Sequence, residues 1–278
     1  MADVLLRTVR DAGRGLVFWT AGIVLLVVVT VSIYPSIEGN ADLTDAVENY
    51  PKELTAFFGG ELDFASGAGY LNGELYSLMV PLLLLVYGIG AGARAIAGEE
   101  EAGTLKLLLA HPLRRRRVLL EKLGAAVVLL AGLGAVVFLA VTAASAVFGL
   151  DVGTADVAAA THGAVLLAAA FAALALLVGA ATGSRALAIG VAASLVIASY
   201  LLYGLGNLVD ALEPVQALAP WDWYAGGDQL RNGLDWPGTL LLLGSVVVLA
   251  GAAISAVRAA GPLHLGLRPT RKRSSALP

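Results

Sequence analysis

The chemistry-bearing residues of this chain crowd into one short stretch. Residues 98–122 read GEEEAGTLKLLLAHPLRRRRVLLEK: three carboxylates, an apolar run, a proline and four consecutive arginines. No Ser/His/Asp or Glu/His cluster stands out around these groups. The chain has no cysteine, which excludes disulfides, thiolate catalysis and cysteine metal sites. His111, His162 and His264 are scattered, and His162 suits a solvated or helix-capping role better than a ligand role. A phosphate-cradling loop needs Gly-Lys-Ser/Thr, and the four lysines sit in PKE, LKL, EKL and RKR instead. The charged stretch therefore reads as a binding element, and the chain binds no nucleotide by a recognisable motif.

The elements around that stretch explain its isolation. The chain is 58% hydrophobic and only 14% charged, with a mean hydropathy of +0.82, against about 25% charged in soluble domains. Its apolar residues come in runs of the roughly 20 residues that cross a bilayer. This predicts an all-α integral membrane protein, a single transmembrane domain over 1–278 with spans near 15–35, 75–97, 118–148, 158–183, 186–208 and 237–258, and a basic tail over 259–278. The first apolar run exceeds a signal-peptide core, and VSIYPS offers no small-x-small cleavage site, so it reads as a retained anchor. Residues 1–14 fit either a short helix in the membrane surface or a disordered basic tail.

Orientation follows from the cations. Sixteen of the eighteen Lys and Arg residues fall on the side of both termini and the 98–122 loop; only Lys52 and Arg231 fall opposite. The positive-inside rule then puts both termini in the cytoplasm of a plasma-membrane protein. The net charge of −3 gives no basis for a nucleic-acid partner. Outside, residues 41–58 align Leu43, Val47, Leu54, Phe57 and Phe58 on one helical stripe, an amphipathic segment between spans 1 and 2. Trp221, Trp223, Tyr224 and Trp236 suit anchoring at the headgroup level, with substrate contact as the alternative.

No Asp, Glu, Lys or Arg lies near the middle of a predicted span, which argues against an ion-coupled carrier. The polar groups within the spans are Thr142 and Ser145 on the third and Ser194, Ser199, Tyr200 and Tyr203 on the fifth. They serve either helix-to-helix hydrogen bonding or a partly polar cavity. Gly88/Gly92 and Gly179/Gly183 have the spacing of close-packing pairs.

Within the opening stretch, Glu99, Glu100 and Glu101 begin a helix ended by Pro112. Acids at the first turn and arginines beyond the last both complement its macrodipole. Leu105, Leu108 and Leu109 share one face, which predicts a short amphipathic docking helix between spans 2 and 3. Arg114, Arg115, Arg116 and Arg117 suit anionic lipid and set topology. This stretch resembles the loop between spans 2 and 3 in permease subunits of ABC-2 type ABC transporters. The matching positions are Glu99, Glu101, Gly103, Thr104, Leu105, Leu108, Leu109, Pro112, Arg115 and Lys122. WDWYAGGDQLRNGLDWPG (221–238) and AFFGGELDFASGAGYL (56–71) are similar in a supporting way, whereas AVRAAGPLHL after the last span departs from the Arg-Arg-Asp run of many relatives. The resemblance implies a non-enzymatic permease that exports its substrate, in a family whose substrates include drugs, lipids and polysaccharides, with a metal-delivery function in one subgroup. It implies a pair of permease chains, identical or different, and a separate cytoplasmic ATPase that carries ATP and Mg and seats the loop helix through residues 99–112. A membrane scaffold docking a soluble partner through the same loop is the rival reading, with a secondary carrier behind it.

Overall fold

The computed structural model describes residues 12–37, 66–98 and 115–259, with Thr8 and Arg10. Nearly all of these residues are helical, and no strand occurs among them. Six helices are long and apolar enough to cross a membrane: Gly15–Ile37, Gly67–Ala93, Arg116–Phe148, Thr154–Thr182, Arg185–Gly206 and Trp236–Val257. Each coincides with one span expected from hydropathy. The outer stripe at 41–58, the docking residues Glu99 to Pro112, Arg114 and the tail beyond 259 lie outside the described residues.

The helices are α1 (Gly13–Ile37), α2 (Gly67–Leu71), α3 (Met79–Ala93), α4 (Arg115–Phe148), α5 (Thr154–Thr182), α6 (Arg185–Gly206), α7 (Glu213–Gln216), α8 (Pro220–Ala225), α9 (Gln229–Asn232) and α10 (Trp236–Ala259). The end of the bundle opposite Arg116 and Arg117 is called the outer end. Helix α5 is the axis: it packs against α3, α4, α6 and α10 along its length and against α8 and α9 at its outer end. Its sequence explains the position. AAATHGAVLLAAAFAALALLVGAA is apolar on every face, and a helix of that kind is buried. Its alanines let four neighbours approach closely without hydrocarbon to drive association. By contrast, α1 and α10 leave most of their apolar surface outward, with Val247 and Val248 about 70% exposed, as lipid-facing helices do.

Helices α3 and α5 approach each other backbone to backbone. A side chain on Gly88 would meet the Ala168 carbonyl oxygen at 2.8 Å, and one on Gly92 would collide with the Ala172 carbonyl. These glycines are the expected close-packing pair. The second expected pair is not one. Gly183 ends α5 in the left-handed conformation, φ 67°, and its N–H donates to the Gly179 carbonyl at 2.9 Å. It is a helix stop of the glycine type, and Ser184 then caps α6 by accepting from the Leu187 N–H. A side chain on Gly179 would make only ordinary contacts, with the Ala97 and Ala188 Cβ atoms at 3.5 and 3.6 Å.

The second span starts earlier than the hydropathy pattern implied, and it is broken. Ser66 caps α2 by accepting the Gly69 N–H at 3.1 Å. A π-turn over Asn72–Tyr76 follows, closed by Ser77 N–H to the Asn72 carbonyl at 2.7 Å. Leu78 then leaves helical geometry (φ −145°, ψ −49°) before α3 begins. Pro81 supplies the cause: it has no N–H to donate and its ring clashes with the carbonyl four residues back, so it sits in the first turn of a new helix. A second π-turn, Arg94–Gly98, closes the other end of this span.

Candidate functional site at the outer end

Residues 210–232 form a cap of short helices pressed onto the outer end of the bundle. Pro214 and Pro220 each open a helix, where a missing N–H costs nothing. Asp228, at φ 41°, turns the chain into α9. The cap buries its aromatics. Trp221 and Tyr224 are 1% and 4% exposed, so the expectation that they anchor at the headgroup level is corrected for these two. The same α8 face that would meet headgroups instead packs on α5, α6 and α10. Trp236 does stand exposed at the start of α10.

A set of polar contacts holds the cap. The Tyr224 hydroxyl donates to the Tyr76 backbone carbonyl at 2.6 Å. That carbonyl precedes Leu78, the first acceptor of α3, and so stands outside the α3 ladder. The Tyr76 hydroxyl in turn shares a 2.7 Å hydrogen bond with Thr161 of α5. The Trp221 N–H donates to Ser199 Oγ at 2.9 Å, and Gln229 Nε2 reaches the Tyr224 carbonyl at 3.3 Å. Trp221 sits edge-on between Tyr200 and Tyr224, with centroids at 4.9 and 6.2 Å. Gly163 makes room: a side chain there would lie 2.7 Å from Gln229 Oε1. Burial pushes the Tyr224 phenol well above its ordinary range, with Tyr76 and Tyr203 adding to the effect. It stays protonated and keeps donating.

Beside the cap opens a polar cleft of about 380 Å³ lined by Asn207, Asp210, Glu213, Gln216 and Asp222. Gln216 Nε2 bridges its wall, donating to Asn207 Oδ1 at 2.8 Å and Asp222 Oδ1 at 3.1 Å. Burial raises the Asp222 carboxyl above the usual range; the Gln216 hydrogen bond lowers it and the charge of Asp235 raises it further. Asp228 is also raised by burial, against the opposing pull of Arg231. The sign follows: a carboxyl whose folded pKa lies above its unfolded one disfavours the fold once ionised, and the penalty is relieved as pH falls through the folded pKa. Acidifying through the folded pKa values is therefore expected to firm the cap. Asp222→Asn, which keeps an acceptor for Gln216, should shrink the gain in melting temperature measured across that range; an unchanged pH response would overturn the assignment.

The polar residues singled out within the spans divide. Ser199, Tyr200 and Tyr203 gather under the cap, and Ser199 and Tyr203 are buried. Ser194 points outward from α6. Thr142 and Ser145 lie on α4, with buried hydroxyls that find no hydrogen-bond partner. Of the basic residues, Arg116 and Arg117 are exposed at the start of α4, where Arg117 pairs with Glu121 at 2.7 Å. Lys122, one turn on, is buried. Sequence reasoning passed over Tyr76, Thr161, Gln216 and Gln229. Pro81, five residues after Tyr76, was the available signal for a free carbonyl near that point. Among the described residues no group of three or more His, Asp or Glu could hold a metal ion.

The sequence matches the family model of the ABC-2 family transporter protein over residues 4–224. That range takes in five of the six spans and the cap through Tyr224. The chain belongs to this family. No curated protein matches it. As an ABC-2 family member with six apolar helices it is a multi-pass membrane protein and a transmembrane component of a transporter.

Proposed function

We propose that this ABC-2 chain is the permease subunit of an ATP-driven exporter in the plasma membrane, with both termini cytoplasmic. The family match across the spans carries this reading, and the sixteen-to-two distribution of cations supports the orientation. ATP and Mg belong to a separate ATPase subunit, and a second permease chain completes the pathway. The ATPase docks on residues 98–117 through Leu105, Leu108 and Leu109, with Glu99, Glu100, Glu101, Gly103, Thr104 and Pro112 shaping the docking helix. Movement of that loop passes into the second span, whose rigid middle is held on α5 at Gly88 and Gly92. Its outer break is held by Tyr224. Release of that contact would let the cap lift and open the outer end.

The docking step is the direct test. Interface anchors cost at least about 2 kcal/mol when truncated, more than the 1.4 kcal/mol of a tenfold change. Leu105→Ala combined with Leu108→Ala is expected to weaken ATPase co-purification at least about tenfold at equal membrane levels. Wild-type co-purification and transport in the double variant would reduce the loop to a topology signal.

A further inference from the structure

A second site lies between α1 and α3. Phe18, Trp19, Gly22 and Leu26 on one side and Met79 and Leu82 on the other line an almost wholly apolar groove of about 420 Å³, within the roughly 300–1,000 Å³ of ligand pockets. It is open: Phe18 is 80% exposed, and a side chain on Gly22 would meet nothing within 4 Å. From Phe18 to Leu26 it runs eight residues, about 12 Å of helix. That is close to the ~15 Å of one leaflet's hydrocarbon, half the bilayer core. A spanning helix from another chain would need a groove twice as long; one acyl chain does not.

The end toward Arg116 and Arg117 carries a cation. On α3, Met79, Leu82, Val86 and Gly90 follow one helical stripe, and Arg94, the first residue of the π-turn that follows, lies beyond them on the same side. Its guanidinium folds back, with a nitrogen 3.5 Å from a Cβ placed on Gly90. It also lies within electrostatic reach of Tyr87, whose ring meets Trp19 edge-on at 5.6 Å. The cation therefore lies toward the Trp19 end of the groove, beyond its apolar lining. Arg94 is exposed, and among the described residues no carboxylate pairs with it. An apolar slot about one leaflet deep with an exposed guanidinium beyond one end has the chemistry of a phospholipid bearing net negative charge. We propose that this groove binds an anionic phospholipid, its acyl chain along Gly22 and its phosphate on Arg94.

The test uses the full chain alone, so it stands or falls independently of the ATPase reading. Native mass spectrometry of the purified protein, titrated with phosphatidylglycerol or phosphatidylcholine of identical chains, reads retained lipid. The wild type should prefer phosphatidylglycerol about fivefold, the preference one interfacial cation supports, and Arg94→Gln should abolish it. Gly22→Leu fills open space and should lower retention of both lipids. Should Gly22→Leu fail to fold, a phosphatidylglycerol with a photoreactive chain should label 18–26 in the wild type. Equal retention of the two lipids by the wild type, an unchanged preference in Arg94→Gln, or labelling elsewhere would overturn the site.

Discussion

Gly92→Ala is expected to destabilise the bundle more than Gly88→Ala or Gly90→Ala. The added carbon would collide with the Ala172 carbonyl oxygen and lie 3.0 and 3.2 Å from that residue's carbonyl carbon and Cα. All three atoms are backbone, so no rotamer change relieves the contact and α3 must back away from α5. Overpacking of this kind costs about 1–3 kcal/mol, a large part of a stability of roughly 5–15 kcal/mol. The effect spreads, because α5 is also the surface on which α4, α6 and α10 rest. Gly132→Ala is the matched control, since a side chain there meets nothing within 4 Å. It should hold or slightly raise stability, glycine being about 1 kcal/mol worse than alanine inside a helix. Melting temperature and monodispersity in detergent compare the two. Equal melting of both variants would mean that the α3–α5 approach contributes little.

Tyr224→Phe should loosen the cap without loosening the bundle. Phenylalanine keeps the ring against Trp221, but the Tyr76 carbonyl loses its 2.6 Å donor. A buried acceptor left unpaired costs about 1–3 kcal/mol, and 1.4 kcal/mol is a factor of ten in an opening equilibrium. Amide hydrogen exchange over 220–232 should quicken about tenfold, because local opening of this segment sets its rate. Exchange in the middle of α5 should stay as in the wild type. Trp223→Phe removes a bond at the exposed rim, Trp223 Nε1 to the Ala217 carbonyl, and should change the cap far less. Uniform quickening through α5, or none in 220–232, would show that Tyr224 does not latch the cap. In the proposed exporter the same variant should leak through the outer end, since the cap would lift without ATP.

Much of the architecture was legible from residues alone, for a physical reason that applies to this solvent in particular. Hydrocarbon tolerates neither charge nor unpaired backbone, so length and hydropathy located the six helices long and apolar enough to cross a membrane. Gly88 and Gly92 were legible as a pair because their spacing puts both on one helix face. Spacing could not separate them from Gly179 and Gly183, whose difference lies in a dihedral angle at the end of α5. Ambiguity of another kind surrounded Trp221 and Tyr224. An aromatic ring with one polar atom satisfies a headgroup layer as well as a buried contact with a single donor or acceptor. Only the packing of α8 on α5, α6 and α10 chose burial. The break before α3 was written in Pro81, yet its partner, the Tyr224 hydroxyl, lies 148 residues from the carbonyl it meets. Local rules for chain conformation act over a few residues. The joining of a freed carbonyl to a distant phenol was decided by the tertiary fold, which brought both to the same end of α5.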